Sequence, residues 1–228
     1  MKMLQKSLLL CGVLASVLYV GVDVLAAIRY PEYHSFSSRV VSELMAKGAP
    51  TERLVDPLFL LYGALMMAFG VGVWMSERGR RMHIVGALLF VYAAIGLLGP
   101  TVAEMNLRGS GGDPAADVRH AALTGVIVLF IFGSVGFAAS IGGRLFRLYS
   151  FATMLIMVVF GILTAFMMRN VSIDKPTPWV GAMERINIGA FLIWVVVFAI
   201  LLLYVRDNEP GGYPFPGREV RRGALSAR

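Results

Sequence analysis

Long uninterrupted apolar runs, each closed by charge, glycine or proline, organise this chain. Six of them cover residues 7–28, 57–75, 84–101, 121–141, 148–168 and 188–205. Crossing about 30 Å of hydrocarbon takes about 20 mostly apolar residues in a helix, and each run comes close to that length. Backbone N–H and C=O groups find no water in the bilayer, so each run is expected to be an α-helix rather than an open strand. The expected fold class is an all-α integral membrane protein. It consists of a six-helix transmembrane bundle over residues 1–205 and a disordered basic tail over residues 206–228. Lys2 and Lys6 ahead of the first run imitate a signal peptide. That run is longer than a usual signal core, and Asp23 stands where a cleavage region is small and neutral, so it is read as a retained span.

A shorter pattern lies between the first two runs. Over residues 38–47, helical spacing puts Val40, Val41, Leu44 and Met45 on one side. Ser38, Arg39, Ser42, Glu43 and Lys47 lie on the other. Ten residues cannot span, so a short amphipathic helix is expected in the first extracytoplasmic loop, stopped by Gly48 and Pro50. Three further helix starts are predicted at Asp56-Pro57, Asp113-Pro114 and Thr177-Pro178, each an oxygen acceptor followed by proline.

Composition agrees with lipid as the main solvent. Of 228 residues, 57% are hydrophobic and 15% charged, against roughly a quarter charged in soluble domains. Cys11 is the only cysteine, which excludes an internal disulfide. The net charge of +7 is distributed as membrane topology demands, and no nucleic-acid partner is expected. Both termini on the cytoplasmic side place 12 of the 21 Lys and Arg residues in the short inner segments, as the positive-inside rule requires. The inner face then suits an anionic leaflet.

Ionisable residues that enter a bundle need a partner or a cavity, and here they gather toward the outer side. Asp23, His120, Glu184, Arg185 and Asn187 are candidates to line an outward-facing ligand pocket, with Tyr62 and Thr124 beside them. Ser42 and Glu43 would sit on its lid. Interhelical pairing that only fixes the register of the bundle is the competing explanation. His120, Glu184 and Asp23 are the catalytic candidates, with His120 as general base. Of the histidines, His83 falls at the inner boundary, away from His34 and His120, and no HExxH or CxxC motif occurs. No metal site and no cofactor is expected. Small residues at Gly136/Ser140, Gly161/Ala165 and Ala64/Ala68 are expected to be helix-packing contacts.

The first outer loop and second span, YPEYHSFSSRVVSELMAKGAPTERLVDPLFLLYGALMMAFGVGVW, resemble the membrane family catalogued as domain of unknown function 998. The matching features are Tyr30 and Tyr33, Ser42-Glu43-Leu44, Gly48-Ala49-Pro50 and Tyr62-Gly63. The His120 helix, Met183-Glu184-Arg185-Ile186 and Leu192-Ile193-Trp194 are also similar. The chain departs from that pattern after the third span. It has Gly99-Pro100-Thr101-Val102-Ala103-Glu104 in place of a Phe-Pro-x-Asp-like turn, so no role is carried over to Glu104. The resemblance implies a prokaryotic six-span protein of the plasma membrane and brings no reaction with it. Three functions fit the residues. The chain binds or moves a membrane lipid or lipid-like small molecule, it modifies a lipid with a His/carboxylate pair, or it assembles as a homo- or hetero-oligomer through small-residue faces.

Overall fold

The computed structural model describes residues 3–76 and 79–208, with side chains through residue 204. The helices are α1 (Met3–Arg29), α2 (Glu52–Trp74), α3 (Arg80–Gly96), the single turn α4 (Gly99–Val102), α5 (Pro114–Ile141), α6 (Arg144–Ser172) and α7 (Val180–Asn208). No strand occurs among the described residues. Six helices are long and apolar enough to cross a membrane, α3 and α4 acting as one. The protein is therefore an integral, multi-pass, all-α membrane protein. α7 extends to Asn208, three residues into the expected tail, and the rest of that tail lies outside the described residues.

The helices form a closed ring in the order α1, α2, α3, α5, α6, α7, with α7 packed back on α1. At one end lie the short link from α2 to α3 and the pair Gly142-Gly143. At the other end lie the three longer connections, residues 30–51, 103–113 and 173–179. We call this the capped end.

Aromatic rings fill the centre of the bundle. Trp194 and Phe198 stack with centroids 4.9 Å apart, and Phe146 lies 5.8 Å from Phe198. Trp194 is fully buried and donates its Nε1–H to Ser150 Oγ at 3.0 Å, which satisfies the polar handle of the indole. Elsewhere the helices close directly on glycine. A Cβ at Gly86 would lie 2.5 Å from Trp74 N and 2.7 Å from Gly70 O, so α2 and α3 touch backbone to backbone, as small residues permit in membranes. The glycine predicted to pack at Gly136 does not do so: nothing lies within 4 Å of its Cβ position. The Gly161 position instead meets Asn187 Nδ2 at 2.7 Å.

Two of the three predicted helix starts are displaced. Asp113 caps α5 as expected, accepting from Ala115 N at 2.9 Å. α2 begins earlier than predicted, at Glu52, so Pro57 lies within the helix. Thr51 enters it with its carbonyl accepting from Val55 N at 2.9 Å and its hydroxyl donating to Leu44 O at 2.7 Å. Proline is tolerated there because it costs only one bond, to the carbonyl four residues back. α7 begins at Val180, and Thr177 turns its hydroxyl to the loops instead of capping the helix.

The amphipathic helix predicted over residues 38–47 is shorter than expected, a 3-10 turn at Val41–Met45. Both of its faces are covered. Val40, Val41, Leu44 and Ala46 are buried, and so is Glu43 from the side predicted to be polar. Gly48 does take a left-handed conformation, with φ of +82°, as a chain-reversing residue after a helical turn should.

Candidate functional site

The capped end is held by two clusters of ion pairs that join segments far apart in sequence. In the first, Arg185 on α7 grips Asp23 on α1 with two bonds of 2.7 Å, Nε to Oδ2 and Nη2 to Oδ1. His34 Nε2 approaches the same carboxylate at 2.9 Å. The remaining Arg185 nitrogen, Nη1, donates to the carbonyls of Phe36, Arg39 and Gly181. Asp23 is 8% exposed and His34 9%. A fork-shaped guanidinium suits such a buried, two-toothed grip.

In the second cluster, the fully buried Glu43 accepts from Arg108 Nε at 2.7 Å and Arg108 Nη2 at 2.9 Å. It also accepts from Arg39 at 3.1 Å and from Val40 N at 2.9 Å. Arg108 further donates to Thr177 Oγ1 and Ser38 O, both at 3.0 Å. Its hydrogen bonds to Glu43 push the guanidinium pKa up from its already high ordinary value, so its charge is permanent. Tyr33 donates to Glu43 O at 2.8 Å and carries Arg39 over its ring at 4.2 Å; burial pushes its phenol pKa up.

Glu184 stands apart from both clusters. It accepts from Val41 N and, at 3.5 Å, from Ser42 Oγ, and among the described residues it has no ion-pair partner. On the ring interior nearby, Tyr62 and Tyr92 share a 2.6 Å hydrogen bond between their hydroxyls. Tyr19 packs edge-on to Tyr62 at 5.1 Å, and its hydroxyl has no hydrogen-bond partner among the described residues.

The predicted site residues are thus divided among several groups. Asp23 and Arg185 are together, Ser42 and Glu184 are together, and Glu43 belongs to a different pair. His120 joins none of these. Its Nδ1 lies 2.9 Å from Ala103 O, and because a carbonyl can only accept, the proton sits on Nδ1 and Nε2 is left as the acceptor. The pairing of His120 with a carboxylate or with Ser42, which acid–base catalysis would need, does not occur among the described residues. Asn187 donates to Met157 O at 2.9 Å, tying α7 to α6. The sequence reading passed over His34, Arg39, Arg108, Tyr19 and Tyr92. For His34, Arg39 and Arg108 the sole signal was position in an outer loop; for Tyr19 and Tyr92 it was a hydroxyl within an apolar run.

The walls of the ring are uneven. α5 buries Ile131, Ser134, Val135, Ala138 and Ala139, and nothing in residues 114–130. α6 buries residues as far as Met157, then none until Val171. These two helices are joined by only two glycines, yet they share the thinnest interface of the ring. α5 packs on α3 and α6 on α7 more extensively than on each other. Thr124 continues the buried stripe of Ile131 and Ala138 at seven-residue spacing and is nonetheless exposed, with Ala121 and Gly125 beside it. Across the α5–α6 seam, Phe160, Gly161 and Thr164 continue the α6 stripe and are half-buried. Above the seam the segment 103–113 reaches the α6–α7 connection: Arg108 bonds Thr177, and the Cβ position of Gly109 is 3.2 Å from Asp174. Between Gly142-Gly143 and the loops, the capped half of the α5–α6 seam thus holds no buried side chain of α5 above Ile131 and none of α6 between Met157 and Val171.

No curated protein and no solved structure matches this chain. The model of the family described as Protein of unknown function (DUF998) matches residues 13–201, and the chain belongs to that family.

Proposed function

We propose that this protein binds a membrane lipid or lipid-like amphiphile, which passes sideways through a window between α5 and α6 into the capped half of the ring. The lack of buried residues along the capped halves of α5 and α6 carries the reading. Their inward stripes lose their helix partners at the depth where the loops close overhead, so the natural filler is an apolar chain from the surrounding leaflet. Polar groups wait at the inner end of that path, Glu184 and Tyr19 among them. The two ion-pair clusters hold the roof in place, as pairing of charges in a low-dielectric end demands.

Lipid analysis of the purified protein by mass spectrometry tests this. Wild type is expected to retain lipid through extended detergent washing, and Thr124→Trp, which fills the window, to retain several-fold less. Equal retention by both proteins, or none by wild type, rejects the proposal.

The excess of Lys and Arg in the short inner segments supports a topology with the capped end outside the cytoplasm and both termini within it. With Cys11 replaced by serine, cysteines at Ser110 and at Arg144 report the two ends. In intact cells an impermeant maleimide is expected to label the first and spare the second. The reverse pattern would invert the topology.

A further inference from the structure

The three guanidiniums that reach in among the loops of the capped end, Arg185, Arg108 and Arg39, are already committed. Arg185 directs its N–H groups at Asp23 and three carbonyls. Arg108 spends its own on Glu43, Thr177 and Ser38, and Arg39 pairs with Glu43. None of these three has an N–H group to spare for an anionic head, and the other cations of this end are exposed at its rim. The acceptors are in surplus. Glu184 uses one hydrogen bond on each carboxylate oxygen, and a carboxylate offers about four lone-pair sites. Tyr19 has its hydroxyl free, on the α1 side of the same interior.

Resting on the lipid-binding reading above, we infer that the window selects a zwitterionic lipid whose head ends in a protonated primary amine. The ammonium donates to Glu184 and to the Tyr19 hydroxyl. Its three N–H donors match the free lone pairs, and the pairing supplies Glu184 with the opposite charge that the protein withholds. The phosphate of the same head stays at the membrane surface. There Arg169 and Lys175, both exposed, stand at the capped end of α6, and Arg119, more than half exposed, stands at that of α5. The head therefore meets acceptors inside and cations at the rim, in the order that an amine-terminated phospholipid presents them. A trimethylammonium head has no N–H to donate, and a glycerol head leaves the Glu184 charge unmatched.

The full-length protein is reconstituted in nanodiscs containing equal parts of phosphatidylethanolamine, phosphatidylcholine and phosphatidylglycerol. It is then extracted and its retained lipid identified by native mass spectrometry. Wild type is expected to retain the ethanolamine lipid with about tenfold preference over the choline lipid, equivalent to one charge-assisted hydrogen bond. Glu184→Gln is expected to lose most of that preference. Because Glu184 also holds the 3-10 turn, Tyr19→Phe provides a second measure: it removes a hydroxyl with no partner, leaves packing intact, and is expected to lower the preference while total lipid stays constant. Equal retention of the three lipids, preference for phosphatidylglycerol, or an unchanged preference in both variants overturns the headgroup assignment and leaves the window standing. Failure of the wild type to retain any lipid overturns both.

Discussion

Glu43→Ala is expected to be the most destabilising single substitution at the capped end, at about 3–5 kcal/mol, the usual loss when one member of a buried ion pair is removed. Glu43 is fully buried and accepts from Arg108, Arg39 and Val40 N. Its removal leaves the Arg108 charge deep among the loops with only Thr177 and Ser38 O to satisfy it. Thermal unfolding in detergent should show a large drop in Tm, and protease should cut residues 30–51 and 103–113 at temperatures where wild type resists. Glu43→Leu combined with Arg108→Met should recover much of the loss, because an apolar pair of similar volume avoids the desolvation of both charges. A Tm for Glu43→Ala within a degree or two of wild type would show that the cap is held by packing alone.

The second large effect is expected at the other end of α2 and α3. Gly86→Val places a branched side chain where Trp74 N, Gly70 O and Trp74 Cα stand 2.5, 2.7 and 2.8 Å from the first added carbon. These are backbone atoms, which cannot rotate aside, so the two helices must separate. Overpacking a core costs about 1–3 kcal/mol, and loss of a backbone-to-backbone contact along a whole helix pair puts this case at the upper end. Gly136→Val is the matched control, since its Cβ position is open and its change should stay within about 0.5 kcal/mol. Equal melting of the two variants would remove the α2–α3 contact from the account of stability.

What could be read from the sequence follows from how local each signal is. The six spans were legible because lipid imposes a continuous apolar run on every crossing, and no distant residue can change that. The Asp113 cap was legible because its partner, Ala115 N, is two residues away. Residues 38–47 were misjudged in length because local spacing cannot show the bonds from Glu43 to Arg108 and from Val41 N to Glu184, partners 65 and 143 residues away. The supposed meeting of His120 with Glu184 assumed similar depths. The ring separates their helices by α6, and α7 begins two residues after Pro178. Asp23 was correctly suspected of needing a partner. Which of the nearby cations would take it depended on the ring order, which places α7 against α1 and has no counterpart in local pattern.

That closure of α7 on α1 fixes an order of events during synthesis. Chains emerge N-terminus first, so Asp23 and Glu43 enter the membrane region long before Arg108 and Arg185 have been made. Until α7 arrives, Asp23 on α1 lacks its guanidinium and the 3-10 turn lacks its contact with Glu184, so the first loop cannot settle into its final place. The roof is therefore the last part of the molecule to form, and a chain released before Arg185 should display a protease-sensitive first loop that marks it as unfinished.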